Sequence, residues 1–190
     1  MFGFKKRLEQ AKNQGKVIDE VKIRNEINSK MAFQSLQKWL ADFCPCSTYE
    51  LRDVNLNDPF HFIVVIKPDM GLYKGGIYCF SFTSNDQFPY EPPKVICQTQ
   101  ILHPNISFKG NVCLDIIRER WTPAISLENI AVGLRILLEE PVADDALNIY
   151  VKDIMERDIH EYETMVEHSL KGESITIDNN ITLKFPKFLE

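Results

Sequence analysis

One cysteine, Cys113, stands eight residues after Asn105 and eight before Trp121, inside the run His-Pro-Asn-Ile-Ser-Phe-Lys-Gly-Asn-Val-Cys-Leu-Asp-Ile-Ile-Arg-Glu-Arg-Trp-Thr-Pro of residues 103–123. Turn formers and apolar anchors surround it, and it has no cysteine close by. That setting points to covalent chemistry at sulfur, because the thiolate is the most nucleophilic common side chain near neutrality. The other four cysteines read differently. Cys79 and Cys97 lie in apolar strand-like runs and read as packing residues. Cys44-Pro-Cys46 invites a zinc reading, but a structural zinc site wants four ligands in two close pairs, and no second pair lies near. A cysteine-hydrolase triad needs a histidine base and an orienting partner. The four histidines, at 61, 103, 160 and 168, have no context that suggests one. His103 precedes a proline, which holds its backbone extended, and reads as a maker of structural hydrogen bonds.

The elements that must position Cys113 can be read from periodicity. From Val21 the apolar residues Ile23, Ile27, Met31, Leu36, Trp39 and Leu40 recur at helical spacing, and Pro45 stops the pattern near Cys44. Residues 60–66 and 77–82 are strongly apolar runs, 95–98 is a shorter one and 49–54 a weaker one, with turns at 68–71 and 75–76. They predict an antiparallel meander with one covered face. Phe88-Pro-Tyr-Glu-Pro-Pro forbids regular structure and presents Tyr90 on a rigid loop. After Pro123, Ser126 is placed to cap a helix whose apolar stripe is Leu127, Ile130, Leu134, Leu137 and Leu138. Pro141 closes it. Two more helical patterns cover 147–155 and 159–170, and Gly172 is a natural stop. Helix, small sheet, then helices make an α+β domain.

The chain divides into a basic arm over 1–20, a core over 21–172, and a tail over 173–190 read as a loose end or an added edge strand. Residues 1–30 hold eight Lys or Arg against four Asp or Glu, although the whole chain carries −5. The acidic body disfavours a general nucleic-acid binder. No run reaches the roughly 18 apolar residues of a membrane span. An odd number of cysteines without a secretory leader points to a reducing compartment, the cytoplasm and nucleus.

The ordered blocks Phe88-Pro-Tyr-Glu-Pro-Pro, His103-Pro-Asn, Gly110-Asn-Val-Cys-Leu-Asp, Trp121-x-Pro and Asp144-Asp145 resemble the ubiquitin-conjugating enzyme family over about residues 22–171. The resemblance implies that family's fold: an N-terminal helix, a four-stranded antiparallel meander and C-terminal helices. Within the family the chain looks most like the conjugating enzymes of the neddylation pathway, which modify cullins. The strand and turn of residues 60–76, the stretch of residues 102–114 and the basic arm carry that likeness. Three features depart from the pattern: Ala146 stands where proline is common after the aspartate pair, the helix at 21–40 aligns poorly in register, so no ligase-contact residues are carried over there, and the last eighteen residues exceed the usual end of the fold.

The resemblance makes Cys113 the carrier of a thioester. Transfer between thiols costs little because the bonds are alike, and attack by a lysine amine then runs downhill to an amide. No cofactor is expected on this chain, since pathway ATP is consumed by the activating enzyme. The family gives Asn105 one of two roles, meeting the charge of the tetrahedral intermediate or fixing the active-site loop. It gives Asp145 the task of orienting and deprotonating the lysine, with Asp144 as fallback. Trp121, Pro104, Leu114 and Ile117 read as anchors of the long loop. Tyr90, Pro123 and Ala124 correspond to a platform for RING-type ligases. Met1, Phe2, Phe4 and Leu8 resemble elements that dock on the activating enzyme and, through an acetylated Met1, on a co-ligase. The implied partners are therefore a ubiquitin-like modifier, its activating enzyme, a RING-type ligase and a cullin. A ubiquitin-conjugating enzyme and a non-catalytic modifier-binding protein remain as alternatives.

Overall fold

The computed structural model describes residues 20–144, 146–177 and 181–189. The arm residues Met1, Phe2, Phe4 and Leu8, and Asp145, lie outside the described residues. Helix α1 (Glu20–Ala41) leads into strands β1 (Tyr49–Arg52), β2 (His61–Ile66), β3 (Tyr78–Thr83) and β4 (Lys94–Cys97). A 3₁₀ turn (Asp115–Ile117) precedes helices α2 (Leu127–Glu139), α3 (Ile149–Arg157) and α4 (Ile159–Leu170), and a hairpin of β5 (Ile175–Ile177) and β6 (Ile181–Leu183) follows.

The four strands pair in sequence order, antiparallel throughout. The register places Phe62 opposite Phe82, Val64 opposite Phe80 and Ile66 opposite Tyr78. In the next ladder Phe80 faces Cys97 and Phe82 faces Val95. Because side chains alternate along a strand, these residues all fall on one face. That face is buried against Leu127, Ile130, Ala131, Leu134 and Leu138 of α2. The spacing of that apolar stripe fixes which side of α2 turns inward. A capping box starts the helix: Ser126 Oγ accepts from Asn129 N–H at 3.1 Å, and Asn129 Oδ1 accepts from Ser126 N–H at 3.0 Å.

One sequence expectation is refined by the structure and another needs correction. The apolar pattern of α1 runs over its whole length, but only Ala32, Leu36 and Leu40 are buried, while Val21 and Met31 are exposed. The periodicity reports helix correctly there without reporting burial. The tail is neither a loose end nor an edge strand of the main sheet. Among the described residues, strands β5 and β6 pair only with each other, Ile175 opposite Leu183. The chain then returns to α4, where Phe188 and Leu189 donate their N–H groups to Leu170 O at 2.7 and 3.0 Å. Phe185 is buried and the Phe188 ring lies 5.7 Å from that of Tyr78. Gly172 makes the turn possible. Its φ is +77°, and a β-carbon there would lie 3.0 Å from Lys187 Cα.

Candidate active site

Cys113 lies on the loop between β4 and α2, and its surroundings fix it closely. Its backbone N–H donates to Asn105 O at 2.9 Å, and Val112 bridges to Ile106. Gly110 closes this loop on β4: its φ is +81°, and a β-carbon would fall 2.1 Å from Cys97 O. Beyond the cysteine, Ile117 N–H donates to Leu114 O, and both Arg118 and Arg120 donate to Asp115 O. Leu114 and Ile116 rest on α2 where Gly133 leaves room for them. Ile117 is buried and Trp121 half-buried, as their anchoring role requires.

Residues 102–105 form the shelf beside the thiol, and each is hydrogen-bonded to a different part of the fold. Tyr73 hydroxyl, from the β2–β3 connection, donates to Leu102 O, and the Tyr73 and Tyr162 hydroxyls lie 2.7 Å apart. His103 is fully buried, with Nε2 2.9 Å from Leu137 O and Nδ1 accepting from Asn105 N–H at 3.0 Å. That pair of partners requires the neutral ring protonated on Nε2. Burial pulls the His103 pKa down to about 4, against a smaller opposing effect of its bond to Leu137. A ring so engaged is no general base. Pro104 O accepts from Asn148 N–H, the N-cap residue of α3, at 2.9 Å.

Asn105 is 2% exposed, and its side chain ties the shelf to the loop of residues 141–148. Nδ2 donates to Asp144 O at 3.2 Å and Oδ1 accepts from Val142 N–H at 3.4 Å. Of the two roles open to this amide, the geometry supports loop fixation. The carboxylate of Asp144 is on an exposed residue immediately before Asp145.

Arg118 was not singled out from sequence. Its Nη1 donates to Cys113 Sγ at 2.9 Å, and its Nη2 is 3.2 Å from Glu119 Oε1. The contact with the sulfur, and to a lesser degree Glu119, raises the arginine's pKa further. The sulfur is almost enclosed, at 7% exposure for the residue. Only the 3₁₀ turn, invisible to periodicity, brings residue 118 back over residue 113.

Tyr90 is 70% exposed, and Pro123 and Ala124 are exposed as well. Three rings lock the loops that carry them. Trp39 packs edge-on against Phe88 at 5.0 Å and Trp121 at 6.1 Å, and Phe88 lies 6.1 Å from Trp121. Trp39 Nε1 donates to Ile125 O and Trp121 Nε1 donates to Pro89 O, each at 3.0 Å. Trp39 is a second residue whose role the sequence concealed.

Cys44 and Cys46 are exposed. Desolvation works against the Cys46 thiolate, but hydrogen bonds from Thr48 and Tyr49 outweigh it and hold the thiol below its ordinary value. Cys97, by contrast, is pushed up to about 12 by burial. Among the described residues no group of three or more His, Cys, Asp or Glu side chains is placed to hold a metal ion, and no helix is long and apolar enough to cross a membrane.

The family model described as ubiquitin-conjugating enzyme matches residues 26–170. The NEDD8-conjugating enzyme UBC12 of Yarrowia lipolytica is 41% identical over 140 residues, which are 74% of this chain and 78% of that protein. The Nedd8-conjugating enzyme UbcE2M of Drosophila melanogaster is 40% identical over 61% of this chain and 64% of its own length. Among solved structures, S. cerevisiae Ubc12 superposes with a TM-score of 0.74 at 31% identity, covering 98% of this chain and 99% of that one.

Proposed function

The chain belongs to the ubiquitin-conjugating enzyme family, and on that premise we propose that it carries NEDD8 as a thioester on Cys113 and transfers it to a lysine of a cullin. The observation that carries this reading is the enclosed Cys113, seated on Asn105 in a chain about 40% identical to enzymes named for NEDD8 conjugation. Cys113 attacks the thioester held by the activating enzyme, and the acyl group moves from one sulfur to another. A lysine amine then attacks the new thioester and forms an amide.

The remaining residues divide the work. Asn105 positions the 141–148 loop through its two amide bonds. Asp145, on that loop, orients the incoming lysine and accepts its charge. Tyr90, Pro123 and Ala124 form the platform for a RING-type ligase. The arm, through Phe2, Phe4 and Leu8, recruits the activating enzyme, and an acetylated Met1 docks on a co-ligase. The chain uses no cofactor of its own and works in the cytoplasm and nucleus.

The test is a charging assay. The chain is mixed with NEDD8 or ubiquitin, the matching activating enzyme and ATP, then resolved on non-reducing gels. A dithiothreitol-sensitive adduct with NEDD8 that far exceeds the ubiquitin adduct is expected. Preferential ubiquitin charging would reassign the modifier, and no adduct would leave a non-catalytic binding protein.

A further inference from the structure

Thioester chemistry needs a place for the sulfur's electron pair, and the residues assigned above do not supply one. In aminolysis the lysine nitrogen attacks the carbonyl carbon and a C–N bond forms. The nitrogen gives up its proton to a base or to water. The tetrahedral intermediate then collapses, the C–S bond breaks, and its electron pair leaves on Sγ as a thiolate. At a residue only 7% exposed, that anion has little water to meet it. His103 is unsuited to help, because its Nε2 is engaged by Leu137 O and its Nδ1 by Asn105 N–H. The Asn105 amide is engaged by Val142 and Asp144.

Arg118 already occupies the required position. Its Nη1 donates to Cys113 Sγ at 2.9 Å, a close contact for a sulfur acceptor, and a charged donor binds an anion more strongly than it binds a neutral group. The 3₁₀ turn over Asp115–Ile117 and the bond from Arg118 N–H to Asp115 O at 2.9 Å fold this residue back toward the cysteine. Its side chain is 48% exposed, so the guanidinium has room to withdraw when an acyl group occupies the sulfur.

We propose that Arg118 is a catalytic residue whose guanidinium receives the departing Cys113 thiolate in transfer to lysine. By reversibility it also holds the attacking thiolate during charging. In both steps the stabilised species is sulfur anion, so the effect belongs to C–S bond breaking and making rather than to the lysine. The proposal rests on the thioester reading of Cys113.

The experiment is single-turnover discharge of preloaded enzyme to free lysine between pH 7 and 9, with wild type, Arg118→Lys, Arg118→Gln and Arg118→Ala. Loss of the charge in R118Q and R118A should slow discharge on the order of tenfold, less than the roughly hundredfold or greater cost of removing a buried oxyanion-hole donor, because the Arg118 side chain is 48% exposed. R118K should recover much of the rate, and all four melting temperatures should agree. The defect should be the same at every pH, because neutralising more lysine does not help the sulfur leave. Discharge by R118Q and R118A within twofold of wild type would overturn the proposal. So would equal defects in R118K and R118A, since charge would then be irrelevant. A wild-type chain that took up no modifier would overturn the thioester reading instead.

Discussion

Two loops flank the chemistry, and they are held in opposite ways. The shelf of residues 102–105 is fixed by hydrogen bonds from Tyr73, Asn148 and Cys113 and by the His103 bond to Leu137. The face carrying Tyr90, Pro123 and Ala124 is fixed mainly by Trp39, Phe88 and Trp121 packing on one another. Hydrogen bonds are directional, so the shelf sets Cys113 to a narrow geometry. Ring packing tolerates small slides, which suits the partner-facing role proposed for that surface. The shelf also contains a titratable ring and the platform triad does not. The two regions should therefore respond differently to substitution and to acid.

The largest effect should come from the nucleophile. Cys113→Ala should abolish the modifier adduct on non-reducing gels, and Cys113→Ser should accumulate a slower adduct that resists reductant. Normal charging of the alanine variant would remove the basis for comparing the regions at all.

Acid should loosen the shelf first. His103 binds a proton in the unfolded chain below about pH 6.5 but in the folded chain only below about 4. The unfolded state binds more protons in that window, so stability falls as pH drops through it, by about 3 kcal/mol in all. Urea midpoints at pH 7 and pH 5 should show the loss, and tryptophan fluorescence, which reports Trp39 and Trp121, should change later than hydrogen exchange of the shelf amides at Asn105 and Cys113. Simultaneous changes would mean the two regions unfold as one unit.

Asn105→Ala should still charge, yet discharge to lysine about a hundredfold more slowly, because a loop misplaced by about 1 Å costs that much. Imidazole or high pH should not restore it. On the platform, Tyr90→Ala should lower the ratio of ligase-stimulated to unstimulated discharge by about tenfold or more, the range of an aromatic anchor. A fall in both rates together would show that Tyr90 supports the fold instead. The smallest effect belongs to Trp39→Phe, which keeps a ring but deletes the bond to Ile125 O. It should cost about 1 kcal/mol of stability and reduce ligase stimulation severalfold, measured by thermal melts and discharge rates.

The two regions also differed in how far sequence could disclose them. The strands, the α2 stripe and the Ser126 cap follow local patterns and were readable. Cys113, Asn105 and Tyr90 were readable because each stands in a distinctive string. What holds them was not, since the partners come from far away: Tyr73 is 29 residues from Leu102, Leu137 is 34 from His103 and Ile125 is 86 from Trp39. Arg118 is only five residues from Cys113, yet a single 3₁₀ turn leaves no periodic trace. The self-paired tail was missed for a related reason. Its weak alternation points to a strand, but strands of three residues are too short to reveal what they pair with.

The exposed pair Cys44 and Cys46 has a practical consequence for anyone attaching a dye or a spin label. A maleimide will find the two surface thiols before it finds the enclosed one. Cys46 should react first, since Thr48 and Tyr49 favour its thiolate. Modest labelling would thus decorate the end of α1 and leave the working sulfur free, giving a fluorescent enzyme that still turns over. Conversely, a covalent inhibitor screen scored only by adduct mass would count hits at the wrong sulfur unless both surface cysteines were first changed to serine.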